Sequence, residues 1–298
     1  MKRTHLYAFG LLALAQLSVG INITGSKFLL SSFPVLFILT GRFFLAAVLL
    51  LPLHWCTNEK VIPLKQHFQR LNAKDWLLLF LQAICAGVFF NLLMVLGLGY
   101  TDAQSAGIIT STLPALIAVA SWIFLRERFT LKKTICVGFA TLGLVIISTH
   151  HAASEPKHTG SLLGNLLVFL ALLPETAYYV LVKIPTKRLP IFLMSGIINA
   201  INAIILFPFL ILEVHWCSFH FTTLNLAVLV LVGLSSGMFY LFWYLGSEKV
   251  DAIMASLVTT VMPISTVLIA WLVLNETLST YYLAGMILAI LSIVAYAV

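Results

Sequence analysis

Charge is scarce in this chain. Ten acids and seventeen bases are spread over 298 residues, 9% in all, where a soluble domain carries about 25%. Uncharged apolar runs of about 20 residues recur from end to end, which excludes an ordinary soluble domain and points to repeated membrane crossings. Alternation of polar and apolar residues is missing too. Stretches such as RFFLAAVLLLPL (42–53) lack the period of two that a transmembrane barrel strand needs, so the crossings are helical. There are four cysteines. Cys85 and Cys136 fall inside spans, Cys56 in a loop and Cys217 near the opposite membrane face, which supports neither a disulfide framework nor a zinc site. His150, His151 and His158 share one loop without paired cysteines or strict ligand spacing, so no metal is expected. No G-x-x-x-x-G-K-[ST] segment is present, and ATP-driven pumping by this chain is unsupported. MKRTHLYAFGLLALAQL has no A-x-A pattern behind it and reads as a retained first helix rather than a cleaved signal.

The apolar runs resolve into ten spans, near 5–29, 33–54, 75–99, 103–125, 131–150, 161–183, 190–212, 223–246, 250–274 and 280–298, with a polar loop at 55–74. Alternate loops differ sharply in charge. One side collects fourteen bases, from Lys2 and Arg3 through Arg126, Lys133 and Lys183 to Lys249, and the other holds Lys27 and Lys157. That bias places the basic side, and both termini, in the cytoplasm. The net charge of +7 is thereby an orientation signal, and no nucleic acid is expected as a partner.

A repeat lies beneath the spans. TDAQSAGIITSTLPALIAVASWIFLRERFT (101–130) aligns without gaps on VDAIMASLVTTVMPISTVLIAWLVLNETLS (250–279). Asp102 meets Asp251, Thr110 meets Thr259, Pro114 meets Pro263, Trp122 meets Trp271 and Glu127 meets Glu276. Each half then holds five helices, 5–150 and 160–298. Five is odd, so the second half enters the membrane from the opposite side. The expected fold is all-α and integral to the membrane, with ten transmembrane helices in two inverted five-helix repeats. Such repeats are typical of secondary transporters, because exchanging the conformations of the halves exchanges the open side.

This arrangement, with a mid-span proline and terminal glutamate in the fourth span of each half, resembles the drug/metabolite transporter superfamily and its EamA family. GINITGSK (20–27) in the first span and TGRFF (40–44) in the second resemble that family's segments at those places. The resemblance covers nearly the whole chain. It implies a central cavity lined mainly by the first and third spans of each half with help from the fourth, and outer bracing by spans 4, 5, 9 and 10. It also implies transport of a small polar or amphipathic metabolite, with export of amino acids or relatives as the leading expectation. The place would be the cell membrane, the inner one of a bacterium. A coupling proton and a homodimer are compatible with it, and no cofactor is needed.

Membrane-buried charge narrows the search for the site. Glu175 is the one acid well inside a span, and Arg42 the one deep base. Such charges face a cavity or a partner. They either pair structurally or offer an anion handle (Arg42) and an amine or proton handle (Glu175). Ser18, Asn22 and Ser26 recur at every fourth residue and share one helix face, either lining a cavity or bonding to a neighbouring helix. Ser195, Asn199 and Asn202 form a second stripe that favours helix–helix bonding, and Asn91 sits inside span 3. Tyr178 and Tyr179 follow Glu175 at helical spacing, and Tyr240, Trp243 and Tyr244 share a face. An aromatic face with polar tips suits an amphipathic ligand. An interfacial belt is the other reading, apt for Tyr179 and Tyr244 near span ends.

Pro114 and Pro263 are expected to kink spans 4 and 9, with Thr110, Thr259 and their neighbours re-satisfying the disturbed turn. The kink either flexes during gating or only shapes packing. Glu127 and Glu276 stand three residues before Thr130 and Ser279, candidate N-caps of the next helices, and a structural role is expected for both acids. Two alternatives remain. One is uptake or exchange of a larger metabolite, such as a nucleotide-linked compound. The other is a membrane enzyme on lipid-linked substrates, which would need a catalytic cluster at one interface. The sequence offers none, and no catalytic residue is assigned.

Overall fold

A computed structural model describes residues 3–29, 32–56, 64–98, 100, 109–110, 112–128, 130–153, 162–184, 189–213, 221–274 and 280–297. All regular structure among them is helical. In chain order the helices are α1 (Arg3–Leu29), α2 (Val35–Leu53), α3 (Leu64–Gln69), α4 (Ala73–Ala83), α5 (Phe90–Leu98), α6 (Leu113–Leu125) and α7 (Leu131–Ala153). They continue as α8 (Leu162–Leu181), α9 (Ile191–Glu213), α10 (Thr223–Ser247), α11 (Ala252–Val258), α12 (Val261–Leu274) and α13 (Thr280–Ala297). Six helical stretches are long and apolar enough to cross a membrane: Leu6–Ser26, Val35–Cys56, Ala73–Met94, Leu162–Leu181, Ile191–Leu212 and Thr223–Ser247. Leu113–Leu125 and Leu283–Ser292 are shorter apolar helices. The polar loop after α2 is not all loop, since it contains α3.

The distribution of polarity is that of a lipid-embedded bundle. Phe124, Leu131, Leu162, Ile204 and Leu212 are largely exposed on the outside, while Gln16, Ser195, Asn199 and Asn202 are fully buried. Apolar surface then meets lipid, and interior polar groups bond across helices. Local signals fix the helix starts. Asn72 and Asp75 form a capping box at α4, with Asp75 N–H donating to Asn72 Oδ1 (2.9 Å) and Asn72 N–H to Asp75 Oδ2 (3.0 Å). Thr222 accepts from Asn225 N–H at α10, and Asp251 accepts from Met254 N–H at α11.

Contacts between helix ends sort them onto two faces. On the first face Tyr7 meets Lys249, Gly246 approaches Ala8, and Glu127 reaches Ala252. On the second, Phe33 meets Phe221, and Gly97 approaches Gly164. The helix packing also has an internal symmetry. α1 lies on α10, and its repeat counterpart α8 lies on α5; α1 also lies on α12, and α8 on α6. α2 lies on α10, and α9 on α4. α2 with α9 and α7 with α13 pair each element with its own counterpart, and α6 on α11 brings the fourth spans of the two halves together. Exchanging the halves leaves this set of pairs unchanged. Each half therefore buries its faces against the other.

Close approach needs small residues. A Cβ added to Gly233 of α10 would lie 2.6 Å from the Leu45 Cβ of α2, and both atoms are fixed to their backbones. Gly233→Ala is expected to destabilise the bundle by about 1–3 kcal/mol, read as a lowered melting temperature in detergent.

The prolines do not kink a continuous helix. Span 9 is broken into α11 and α12 by a turn at Thr259–Thr260, and Pro263 falls in the first turn of α12. There its missing N–H costs no helical bond. The Thr259 carbonyl, four residues before the proline, accepts from Met262 N–H at 3.1 Å. The Thr259 and Thr260 hydroxyls donate back to Ser256 O (2.6 Å) and Leu257 O (2.7 Å). Pro114 likewise stands at the start of α6. There Thr112 donates to Ile109 O from its N–H (3.1 Å) and its hydroxyl (2.7 Å). Ser111 lies outside the described residues.

Candidate functional site

A cavity of about 480 Å³ lies between the halves. Its walls come from α1 (Ser18, Asn22, Ser26), α2 (Ile38, Arg42, Phe43), α5 (Phe90, Asn91, Met94) and Thr110. The second half adds Glu175 and Tyr179 of α8, Ser235, Ser236, Phe239 and Tyr240 of α10, and Met262 of α12. Ser26 and Val35 bring the cavity to the second-face ends of α1 and α2. Tyr240, seventeen residues into α10, lies about 25 Å from that helix's start at 1.5 Å per residue.

Arg42 is held by amides rather than by an acid. Its guanidinium donates to Asn22 Oδ1 and, at 3.1 Å, to Asn91 Oδ1, and it stands 4.7 Å over the Phe43 ring. Its Nε has no hydrogen-bond partner. Asn22 in turn donates to Val232 O (3.2 Å) and Ser236 Oγ (2.5 Å) of α10. One asparagine thus ties α1, α2 and α10 together at the cavity wall. Asn91 is placed by an irregularity. Between α4 and α5 the backbone passes through a π-turn, Ile84–Phe89. The Asn91 amide donates to Ala86 O (3.2 Å) and Gly87 O (2.6 Å), occupying carbonyls of that turn. π-turns are frequent at functional sites.

Glu175 follows Pro174, which lies inside α8 and removes one N–H from the helix ladder. The Glu175 carboxylate is bonded by the Tyr179 hydroxyl, with Gln16 beside that tyrosine. Arg42 bonds to the two asparagines and Glu175 to Tyr179, so the two charges line the same cavity without pairing.

Behind the cavity, toward the first face, the bundle is tightly packed. Tyr178, Tyr179, Tyr240, Trp243 and Tyr244 join Phe9, Leu12, Leu79, Ile117, Leu193 and Val258 in one core. Tyr178 (0% exposed) and Trp243 (1%) belong to this floor rather than to the cavity lining. Trp243 lies 4.5 Å from the Tyr179 ring and Tyr178 5.9 Å from Tyr240. Tyr179 and Tyr244 are buried as well, not set in an interfacial belt, and the Tyr244 hydroxyl donates to Gln82.

The second stripe splits. Ser195 donates to Gly237 O of α10 (2.8 Å), and Asn199 to Ser195 O. Asn202 sits against Gly87 of the π-turn. Thr110 lines the cavity, whereas Thr259 is buried in the turn before α12. Glu127 does not turn onto the following helix. Its carboxylate accepts from Ala252 N–H (2.7 Å) and Ile253 N–H (3.1 Å) at the start of α11, in the other half. Thr130 alone caps α7, accepting from Lys133 N–H at 3.3 Å. Glu276 lies outside the described residues. Ser235, Ser236, Phe239 and Met94 carry no sequence signal of their place in the lining, since each reads as ordinary helix-interior composition.

Comparison with known proteins agrees with this architecture. The model of the EamA-like transporter family matches residues 6–149 and again 162–298. An uncharacterized transporter of Bacillus subtilis, YetK, is 28% identical over 284 residues, covering 93% of this chain and 83% of that protein. An uncharacterized transporter of Archaeoglobus fulgidus is 30% identical over 228 residues, covering 76% of this chain and 79% of that one. A solved crystal structure superposes with a TM-score of 0.76 at 14% identity, over 98% of this chain and 95% of its own; likeness at that identity shows the fold.

Proposed function

The chain belongs to the EamA-like transporter family, and from that premise we propose a secondary transporter that moves a small amphipathic, amino-acid-like metabolite across the cell membrane by alternating access. A multi-pass membrane transporter of the drug/metabolite type, not an enzyme, is what the family and the named relatives have in common. The observation that carries the substrate reading is the cavity with Arg42 and Glu175 on its walls and no ion pair between them. Arg42 offers a bonding site for a carboxylate. Glu175 offers one for an amine, or holds a coupling proton. Phe43, Phe90, Phe239 and Met94 give an apolar body somewhere to lie, and the volume is within the range of small-molecule sites.

We place the first face in the cytoplasm, because the bases collect there. Ten crossings and two cytoplasmic termini follow from the same reading. The cavity then opens outward and the aromatic floor seals the inside, which is one of the two states alternating access requires. Export is the direction we assign. The test is counterflow in liposomes carrying the purified protein, using labelled leucine and phenylalanine. Label should accumulate against protein-free liposomes and be competed by unlabelled amphipathic amino acids. Absence of flux for the whole class would contradict the substrate assignment.

A further inference from the structure

We propose that Glu127 and Lys133 form a charged latch that holds the first face shut, by gripping a link that Lys183 braces from within its own half. The Lys133–Asp251 pair, whose lysine is matched by Tyr282 at the repeat offset, then biases the resting protein toward the state seen here. This rests on the transport reading, since a latch matters only if the two faces open in turn.

The latched element is the link from Ser247 to Ile253 that joins α10 to α11. It is gripped by three arms. Lys183, just beyond α8, donates its ammonium to Ser247 O and Val250 O. Glu127, just beyond α6, accepts from Ala252 and Ile253 N–H. Lys133, in the first turn of α7, pairs with Asp251 Oδ2 at 2.6 Å, with side-chain exposures of 14% and 33%. Asp251 at the same time caps α11 through Met254 N–H at 2.6 Å. The aim of Glu127 is set by its neighbour: Arg126 takes a left-handed backbone with φ 56°, unusual for a residue with a side chain. That turn directs Glu127 across to α11.

The geometry makes this contact a gate. Glu127 and Lys133 belong to the first half, and the link belongs to the second. α6 of the first half packs on α11 of the second, so they meet where the halves meet. Opening the first face must part them. The interactions are charge-assisted, which makes them strong when formed, and they lie at the membrane surface, where water can replace them on release.

The two faces are not balanced. At the offset of the repeat, Glu127 corresponds to Glu276, Asp251 to Asp102 and Ala252 to Ala103. Lys133 corresponds to Tyr282. The acids are duplicated and the cation is not. A latch of the same kind on the second face would lack its ion pair, so closure of the first face is favoured.

The test uses a cysteine-free chain carrying Met262→Cys, a cavity position midway along α11–α12, and a membrane-impermeant maleimide applied from either face. Reaction should run mainly from the second face. Lys133→Tyr should raise first-face reaction about two- to fivefold, as expected from loss of a partly exposed ion pair. Glu127→Gln should raise it further. Adding Tyr282→Lys to Lys133→Tyr moves the cation to the second face at constant composition, and should raise first-face reaction above that of Lys133→Tyr alone while lowering second-face reaction. Folded, membrane-inserted Lys133→Tyr and Glu127→Gln proteins with unchanged first-face reaction would overturn the latch. If labelling shifts as described while no solute is carried, the latch stands and the transport reading fails.

Discussion

Arg42→Lys should raise the KM for a carboxylate-bearing solute about 10- to 100-fold in liposomes, with folded yield retained. Arg42 bridges two amide oxygens, Asn22 Oδ1 on α1 and Asn91 Oδ1 on α5. A planar guanidinium reaches both, one through each terminal nitrogen, and each of those nitrogens keeps a second N–H for a third group. A lysine ammonium is a compact donor on a flexible stem and cannot hold both amides while meeting a third group in a fixed direction. Loss of one charge-assisted bond is worth about 1.5–3 kcal/mol, and about 1.4 kcal/mol is tenfold. The loss should fall on KM, since lysine keeps the charge but not the fork. Arg42→Ala should go further and reduce stability too, because both amide oxygens would lose their donor. A lysine variant with unchanged KM would remove Arg42 from solute recognition and leave it a purely structural tie.

Glu175→Gln should abolish the pH response of transport while leaving yield and melting temperature near those of the unaltered protein. Glutamine matches the protonated acid in shape, so the Tyr179 contact and the packing beside Pro174 have no reason to change. What it cannot do is gain or lose a proton. If Glu175 carries the coupling proton, the unaltered protein should change its flux by up to about tenfold per pH unit near the transition, as a single titrating group does. The variant should vary by less than about twofold over the same interval. Identical pH profiles would take Glu175 out of coupling and leave it as an amine site or a structural acid.

Much of the fold was legible because lipid imposes simple rules. Apolar runs mark crossings, and the recurrence of Asp, Pro and Glu at equal spacing in the two halves marks a repeat. The exchange-invariant packing of α1 on α10 and α8 on α5 is the form that repeat takes in space. Arg42, Glu175, Asn22, Asn91 and Tyr240 reached the cavity because a polar group in an apolar span needs a destination. The rest depended on facts that a linear pattern does not carry. Tyr179 and Tyr244 sit at belt height along their helices, but height says nothing of which side faces lipid. The π-turn at Ile84–Phe89 has no proline and no special spacing, so the rotation it adds to Asn91 is invisible in sequence. Pro114 and Pro263 looked mid-span because the helices flanking them read as one apolar run; the break falls before each proline. Glu127 was recognisable as a helix-terminus acid, yet its helix is α11 of the other half, a choice made by tertiary packing rather than by the three-residue spacing to Thr130.

Alternating access in this chain rests on one cavity served from two faces by halves of opposite orientation. It is tested most directly by placing single cysteines at positions 128 and 276, the fourth-span ends of the two halves, in a cysteine-free chain within intact cells. A membrane-impermeant maleimide should label position 276 from outside, and position 128 only after the membrane is opened. Labelling of both positions from the same side would contradict the inverted repeat and, with it, the alternating-access mechanism.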